Sequence, residues 1–144
     1  MRKINVTATK NLIKLIEKMG TESHLKITIP EYLPLVIEQI GESIITPYGK
    51  AKLYSLAHYY SLHGDAMRDP EMCFIVVDNR QDKEDWEMVG IYPQMFQQDN
   101  VGLYEESVCI ENNTVTTYKP KWQAGHTSFA NIWLQNIKHQ GFLK

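Results

Sequence analysis

Residues 53–77 read LYSLAHYYSLHGDAMRDPEMCFIVV, and this stretch decides how the chain folds. Its first part, 53–62, alternates between two sets of side chains, as a strand with one buried face does. Its last part, 71–77, is almost continuously apolar, which is typical of a central strand. The part between them is rich in charged residues around Gly64. The pattern therefore predicts two strands joined by a charged turn.

An amphipathic helix is predicted near each end of the chain. The first has Thr7 or Thr9 as its N-cap and Gly20 just beyond its last residue. The second runs from about Ser128 to His139. The apolar stripe of the first helix consists of Leu12, Ile13, Leu15, Ile16 and Met19. The apolar stripe of the second consists of Phe129, Ile132, Trp133 and Ile137.

Between the helices, alternating or apolar runs predict further strands, and Pro93 is expected to end one of them. These strands cover 24–29, 35–40, 87–92, 101–110 and 115–118, with turns near Gly41 and at 46–49, 78–85 and 111–114. Strands joined by short turns are antiparallel, because parallel neighbours need crossovers of about a dozen residues or more.

Each end helix must bury its one apolar stripe, and the simplest way is to pack both on the same sheet face. The sequence therefore predicts a single α+β domain over residues 1–144. Its expected architecture is one curved, mainly antiparallel sheet of six or seven strands, with the N-terminal and the C-terminal helix on one face.

The net charge of −2 conceals a strong segregation of charge along the chain. Residues 1–26 carry six basic and two acidic residues, and residues 112–144 carry four lysines and no acidic residue. Residues 27–111 carry fifteen acidic and five basic residues. If the two ends lie on one face of the fold, that face has a positive field and the rest a negative one. Chance segregation in a soluble protein is the alternative explanation.

The composition indicates a folded domain, since 43% of the residues are hydrophobic and 22% are charged. The N-terminus lacks the apolar core of a signal peptide, and no stretch approaches the roughly 20 apolar residues that cross a bilayer. We therefore expect a cytoplasmic protein with no membrane contact and no cofactor. Cys73 and Cys109 lie in apolar runs without metal-binding spacing, so they are expected to be buried thiols.

The charged turn is the first candidate for a functional site, because titratable groups cluster there. The candidate residues are His58, Tyr60, Asp65, Arg68, Asp69 and Glu71. A histidine among carboxylates can bind a divalent metal or act as an acid/base pair. The structural alternative, which we favour, makes His58 a hydrogen-bonded core residue and pairs Arg68 with Asp65 or Asp69. No established catalytic or phosphate-binding motif occurs in the chain.

A second candidate surface combines lysines with aromatic residues. Three lysines step by four along the first helix, and residues 118–122 interleave aromatic side chains with lysines, as surfaces for single-stranded nucleic acid do. The candidate nucleic-acid residues are Lys10, Lys14, Lys18, Lys119, Lys121 and Trp122. An aromatic edge that covers the core is the alternative, because two lysines are a small electrostatic footprint.

The central motif resembles the signature of a small domain family of unknown function, found in bacteria, phages and other mobile elements. It is carried by His58-Tyr59-Tyr60 and by GDAMRDPEM at 64–72, with weaker matches at 98–102 and 129–142. His63 stands where the family pattern has Asn, which argues against a ligand or base at that position. The resemblance implies relatives but no reaction.

Three hypotheses for function follow. The favoured one is a non-enzymatic binding or accessory module of a bacterial mobile element, with a protein or a nucleic acid as its unknown partner. The alternative is a small metal-dependent hydrolase that uses the turn at 58–71, with His58 as base and Asp65 or Asp69 as ligand. A third is an obligate homodimer paired through an edge strand or a helix face.

Overall fold

A computed structural model describes residues 1–144 as two helices and one eight-stranded sheet. The elements are α1 (Val6–Met19), β1 (His24–Ile27), β2 (Leu35–Thr46), β3 (Gly49–Leu62), β4 (Asp65–Asp78), β5 (Val89–Gln98), β6 (Leu103–Glu106), β7 (Val108–Glu111), β8 (Thr114–Tyr118) and α2 (Pro120–His139). The strand order is β6-β5-β4-β3-β2-β8-β7, and β1 pairs with β2. Only β2 and β8 pair in parallel. The predicted α+β architecture is confirmed, with eight strands instead of six or seven.

The β3–β4 hairpin is the centre of the sheet, and its turn is much shorter than predicted. Only His63 and Gly64 form the turn, and both have positive φ, 51° and 87°. Two-residue turns with this hand match the twist of the flanking strands. The charged residues after Gly64 therefore belong to β4, where Arg68 pairs with Tyr59. Histidine is among the residues that adopt positive φ more readily than most, so His63 fits this position of the turn.

Three predicted strand boundaries are wrong. In two cases the strand continues through an irregularity in its pairing, and in the third a predicted strand is divided. β2 continues through Gly41 to Thr46 with two register shifts, and a Cβ at Gly41 would lie 3.3 Å from the Leu53 Cβ. β5 continues past Pro93, which lies at a register shift against β4 where a missing N–H is tolerated. The predicted strand at 101–110 is divided at Ser107 into β6 and β7.

Both helices begin at residues other than those predicted. The N-cap of α1 is Asn5, whose Oδ1 accepts a hydrogen bond from the Ala8 N–H at 2.8 Å. α2 begins at Pro120, eight residues before Ser128, because proline has the φ of a first helical residue and needs no N–H there. Neither helix is long and apolar enough to cross a membrane.

Both helices pack on one face of the sheet and contact each other. The Asn11 side-chain amide of α1 donates to the Leu134 carbonyl of α2 at 3.1 Å, and Lys18 Nζ donates to the Lys144 carbonyl at 2.8 Å. The main core lies between the helices and the strands and includes Leu12, Leu15, Leu35, Ile37, Leu56, Met72, Phe74, Leu134 and Ile137. The two basic ends of the chain therefore lie on the same side of the sheet, as predicted.

The opposite face of the sheet is covered at one end only. There the β7–β8 hairpin packs a smaller core that contains Ile44, Ala51, Ile75, Val77, Tyr92 and Val108. The other half of this face, formed by β2 to β6, is covered by no further helix or strand. Polar side chains gather on this uncovered half.

Candidate functional site

The pleat of the central hairpin divides the predicted site residues between the two faces of the sheet. His58 pairs with Leu35 of the main core, whereas Glu71 pairs with Ala57 on the opposite side. Alternate residues of a strand point to opposite faces. The structure therefore places His58 under the helices and Glu71 on the uncovered half of the other face.

His58 is a hydrogen-bonded residue of the helix side. It is 8% exposed, and its Nδ1 lies 3.1 Å from the Leu33 carbonyl oxygen. Its ring centroid lies 5.8 Å from that of Trp133 and 5.5 Å from that of Phe142. Burial lowers the pKa of His58, although the Leu33 carbonyl opposes this shift. These contacts match the structural alternative for His58.

The lowered pKa of His58 predicts a loss of stability in mild acid. The unfolded chain takes up the proton near the ordinary histidine pKa of about 6.5, and the folded protein only below it. The contribution of neutral His58 to the free energy of unfolding is therefore complete above about pH 6.5, and it is lost as the pH falls below that value. In urea titrations from neutral pH to about pH 5, the His58→Gln variant should lose less free energy of unfolding than the wild type. The exposed His139→Gln variant should behave like the wild type, and equal losses in all three proteins would contradict the prediction.

Three other predicted residues do not contact the Glu71 carboxylate. Asp65 is exposed at the first position of β4, and Tyr60 pairs with Met67 on the His58 side of the strand. Asp69 accepts a hydrogen bond from the Gln98 side chain at 2.9 Å. The expected ion pair of Arg68 with Asp65 or Asp69 is not formed, because Arg68 turns to Glu71 and Asp99.

Glu71 is the centre of a polar cluster on the uncovered face. The Ser55 hydroxyl donates a short hydrogen bond to one oxygen of Glu71, and Arg68 Nε lies 2.9 Å from the other. The Arg68 contact is an ion pair without the alignment of a hydrogen bond. Asp99 holds Arg68 from its other side, accepting from the Arg68 backbone N–H at 2.8 Å and from Nη1 at 3.4 Å.

The charges in this cluster stabilise one another. The backbone N–H of Arg68 is the main cause of the lowered pKa of Asp99. Burial disfavours the charge of Arg68, but Glu71 and Asp99 outweigh it and raise its pKa. Burial, helped by Glu71, raises the pKa of the Cys73 thiol to about 12. Cys73 is therefore a protonated, unreactive thiol at neutral pH, as predicted, whereas Cys109 is only half-buried.

Two tyrosines and two further carboxylates surround the cluster. Burial and Glu71 raise the pKa of Tyr59, and burial and Glu106 raise that of Tyr104, so both phenols lie beside carboxylates. Tyr104 is 58% exposed, and its hydroxyl donates to Glu106 at 3.3 Å. We call this surface the Glu71 face; it consists of Glu38, Ser55, Tyr59, Arg68, Glu71, Asp99, Tyr104 and Glu106.

The Glu71 face can bind a cationic or hydrogen-bonding group. Its four carboxylates outnumber its single arginine, so it has a negative field. Next to it, between β1, β2 and the end of β3, lies an open groove of about 780 Å³ whose walls include Val36, Tyr59 and Ala66. A charged centre beside an apolar groove, with tyrosines and an arginine, has the composition of a protein interface.

The predicted nucleic-acid residues lie on α1 and at the start of α2. The Lys10 ammonium lies 5.7 Å from the centroid of the Trp86 ring. The Lys119 ammonium lies 4.1 Å from the centroid of Trp122, and Trp122 is 38% exposed. Lys121 and Trp122 line a second groove between α2 and β6. The aromatic edge is thus part of a concave surface.

Sequence reasoning missed most of the Glu71 face. For Ser55 the sequence does contain one signal: it alternates with Tyr54 and Leu56, which indicates that it lies on the side of β3 away from the core. Asp99 had another, because it lies within the QDNVG stretch at 98–102 that contributes to the family resemblance. Neither signal connects these residues to Glu71, because strand register determines that contact.

A comparison with protein families assigns the chain to one of them. Residues 7–143 match the model of a family described as a domain of unknown function (DUF6908). Because the match covers nearly the whole chain, the protein belongs to this family, and the expected membership of a family of unknown function is confirmed. No curated protein and no solved structure matches the chain.

Proposed function

We propose that this DUF6908 protein is a non-enzymatic binding module, an accessory of a bacterial mobile element, and that it docks a protein partner on the Glu71 face. The observation that supports this most is the ordered Ser55–Glu71–Arg68–Asp99 network on a half of the sheet that no other element covers. A network already held in place costs little further ordering when a partner binds.

The chemistry of the surface favours a basic partner segment. The Glu71 side chain is 14% exposed and that of Asp99 18%, so both carboxylates have already lost most of their contact with water in the free protein. A lysine or arginine of the partner would meet Glu38 and Glu106 before it reaches Glu71. Complementary charge of this kind speeds association and excludes wrong partners.

The hydrolase alternative has less geometric support. It requires His58 as base beside carboxylate ligands, but His58 faces Trp133 and Phe142 beneath the helices. Asp65 is exposed at the tip of the hairpin, and Asp69 is bound by Gln98. Glu71 lies on the opposite side of the sheet from His58, so these two groups do not converge on one substrate atom, which acid/base catalysis requires.

The mobile-element role is supported by the resemblance of the central motif at 57–72 to domains of phages and other mobile elements. It predicts that genes for DUF6908 proteins lie beside integrase, replication or conjugation genes more often than in random genome segments. A survey of gene neighbourhoods measures this. A random distribution would contradict the mobile-element role without affecting the docking surface.

Photo-crosslinking tests the docking surface. Benzoylphenylalanine in place of Tyr104 should capture a protein in the native host, whereas the same group in place of Tyr32, exposed on the helix side, should not. In the Tyr104-labelled protein, Glu106→Lys should reduce the yield of the adduct at least about tenfold, because it repels a basic segment. The matched reversal Glu22→Lys, also on an exposed residue, should leave the yield unchanged.

Two results would overturn the proposal. One is an adduct at Tyr32 with none at Tyr104, which would place the partner on the helix side. The other is an equal loss of adduct yield in Glu106→Lys and Glu22→Lys, which would show that the partner responds to the net charge of the protein and not to the Glu71 face.

A further inference from the structure

The groove between α2 and β6 is distinct from the Glu71 face and has different chemistry. Its volume is about 290 Å³, and it is lined by Phe96, Leu103, Glu105, Lys121, Trp122, Gly125, His126 and Phe129. Trp122, Phe129 and Leu103 each expose 38% of their surface, which is high for large apolar side chains. Phe129 is fixed in place by an edge contact to Phe96, with ring centroids 5.0 Å apart.

We propose that this groove binds an unpaired base of a single-stranded nucleic acid, an activity independent of protein docking on the Glu71 face. The base would stack against Trp122 and Phe129, and neighbouring phosphates would contact Lys119 and Lys121. Stacking on aromatic side chains tolerates any base, and lysines beside the stack follow the backbone. The sequence pattern at 118–122 suggested this chemistry, and the groove adds a concave place for a ring.

The charges around the groove fit an anionic ligand. Its one carboxylate, Glu105, lies with Oε1 2.9 Å from Nε2 of His126, so its charge is directed at the histidine. α2 carries no acidic residue, and Lys119 and Lys121 lie at its first turn. A phosphate beside Trp122 would therefore meet ammonium groups.

The contacts of His126 resemble a Ser–His–Glu triad, but they give the groove no nucleophile. Nδ1 of His126 lies 3.0 Å from the Ser107 hydroxyl. Ser107 is 1% exposed, and its hydroxyl donates to the Gln94 carbonyl at 3.2 Å. A buried hydroxyl engaged with a carbonyl cannot reach a substrate, so this histidine holds β6, β7 and α2 together beneath the groove.

Gly125 makes the proposal testable without damage to the fold. Gly125 lines the groove, and a Cβ added there would meet no atom within 4 Å, so Gly125→Leu starts a side chain at the groove wall from an open position. Glycine is also the poorest ordinary helix former, so the substitution should not lower the melting temperature. The probe is a fluorescein-labelled oligothymidylate of about twelve nucleotides, titrated at low salt with anisotropy as the readout. Gly125→Leu should weaken binding at least about tenfold.

Matched variants distinguish binding in the groove from binding elsewhere on the two helices. Ser128→Leu places the same side chain on the exposed surface of α2 outside the groove and should bind like the wild type. Trp122→Ala should weaken binding about tenfold, as loss of one stacking partner does. Two lysine contacts give a slope of about −1.4 for log Kobs against log salt, and Lys121→Ala should reduce its magnitude by about 0.7.

Four results would overturn the inference. The first is that the wild type does not bind at about 100 µM protein, a concentration within the usual range of non-specific binding. The second is that Gly125→Leu binds as tightly as the wild type. The third is that duplex DNA binds as tightly as the single strand, and the fourth is that thymidine monophosphate binds as tightly as the oligonucleotide. The third would indicate phosphate contacts alone, and the last a free nucleotide as ligand. Crosslinking of a protein at Tyr104 would be unaffected by any of them, so the two proposals fail separately.

Discussion

Phe74→Ala is expected to lower the free energy of unfolding by about 3–5 kcal/mol. Phe74 is fully buried, pairs with Tyr54 across the central hairpin and faces the helices. Its removal leaves a cavity between the sheet and both helices, which the rigid strands around it can close only in part. Urea denaturation at neutral pH measures the change, and an unaltered slope would show that the unfolded state is unaffected.

Met72→Leu is the matched control for this prediction. Met72 is also fully buried in the main core, two residues before Phe74 on the same face of β4. A substitution that conserves volume should cost less than about 1.5 kcal/mol. If Phe74→Ala costs no more than Met72→Leu, the two helices do not both pack on this face of the sheet.

The central hairpin and the fold class could be predicted because they depend on local patterns. Ser55 and Ala57 alternate with Tyr54 and Leu56, and this period of two places the apolar side chains on one face whatever the neighbouring strands do. The apolar helix stripes are similarly local. Two helices and short connections then leave few arrangements of the sheet.

Irregular pairing could not be predicted, because it depends on the partner strand. Gly41 and Pro93 are usual markers of a strand end, yet in this fold they occupy register shifts opposite β3 and β4. The break at Ser107 arises where its N–H bonds to the Gln94 carbonyl at 2.9 Å, a contact with the neighbouring strand β5. A single sequence contains no signal for such contacts.

The first turns of α2 were missed for a related reason. Residues 120–127 include Gly125 and polar side chains, which weakened the apolar stripe there. His126 and Thr127 are nevertheless 5% exposed, because Glu105, Ser107 and the Gln123 carbonyl satisfy them. Hydrogen bonds to β6 and Ser107, and one within the helix, thus satisfy a buried polar helix face that sequence periodicity assigns to solvent.

Only those residues of the candidate site that are close together in the sequence could be predicted. Arg68 and Glu71 lie three residues apart and were both predicted, but Ser55 is 16 residues from Glu71, and Asp99 is 31 from Arg68. The strand register places His58 and Glu71 on different faces of the sheet, which their closeness in sequence does not reveal. Once residues 65–70 belong to β4 instead of a turn, the pleat determines which side each of them faces.

Glu71→Lys is expected to have the largest effect on the site, because it removes an acceptor and reverses a charge at the same point. The Ser55 hydroxyl loses its partner, and Arg68 meets an ammonium group in place of a carboxylate. Breaking a buried pair costs about 3–5 kcal/mol. Since the Arg68 side chain is 40% exposed, solvent screening should reduce the loss of unfolding free energy to about 2–3 kcal/mol.

Glu71→Gln separates charge from shape in this prediction. Gln can still accept from Ser55, so it should cost less than about 1.5 kcal/mol, the net value of one hydrogen bond. A double-mutant cycle of Glu71→Gln with Ser55→Ala should give a coupling energy of at least about 0.5 kcal/mol. In the crosslinking assay at Tyr104, Glu71→Lys should abolish the adduct, and the screened loss of stability leaves the protein folded at low temperature. An adduct that persists in Glu71→Lys would show that Glu71 organises the sheet without contacting the partner.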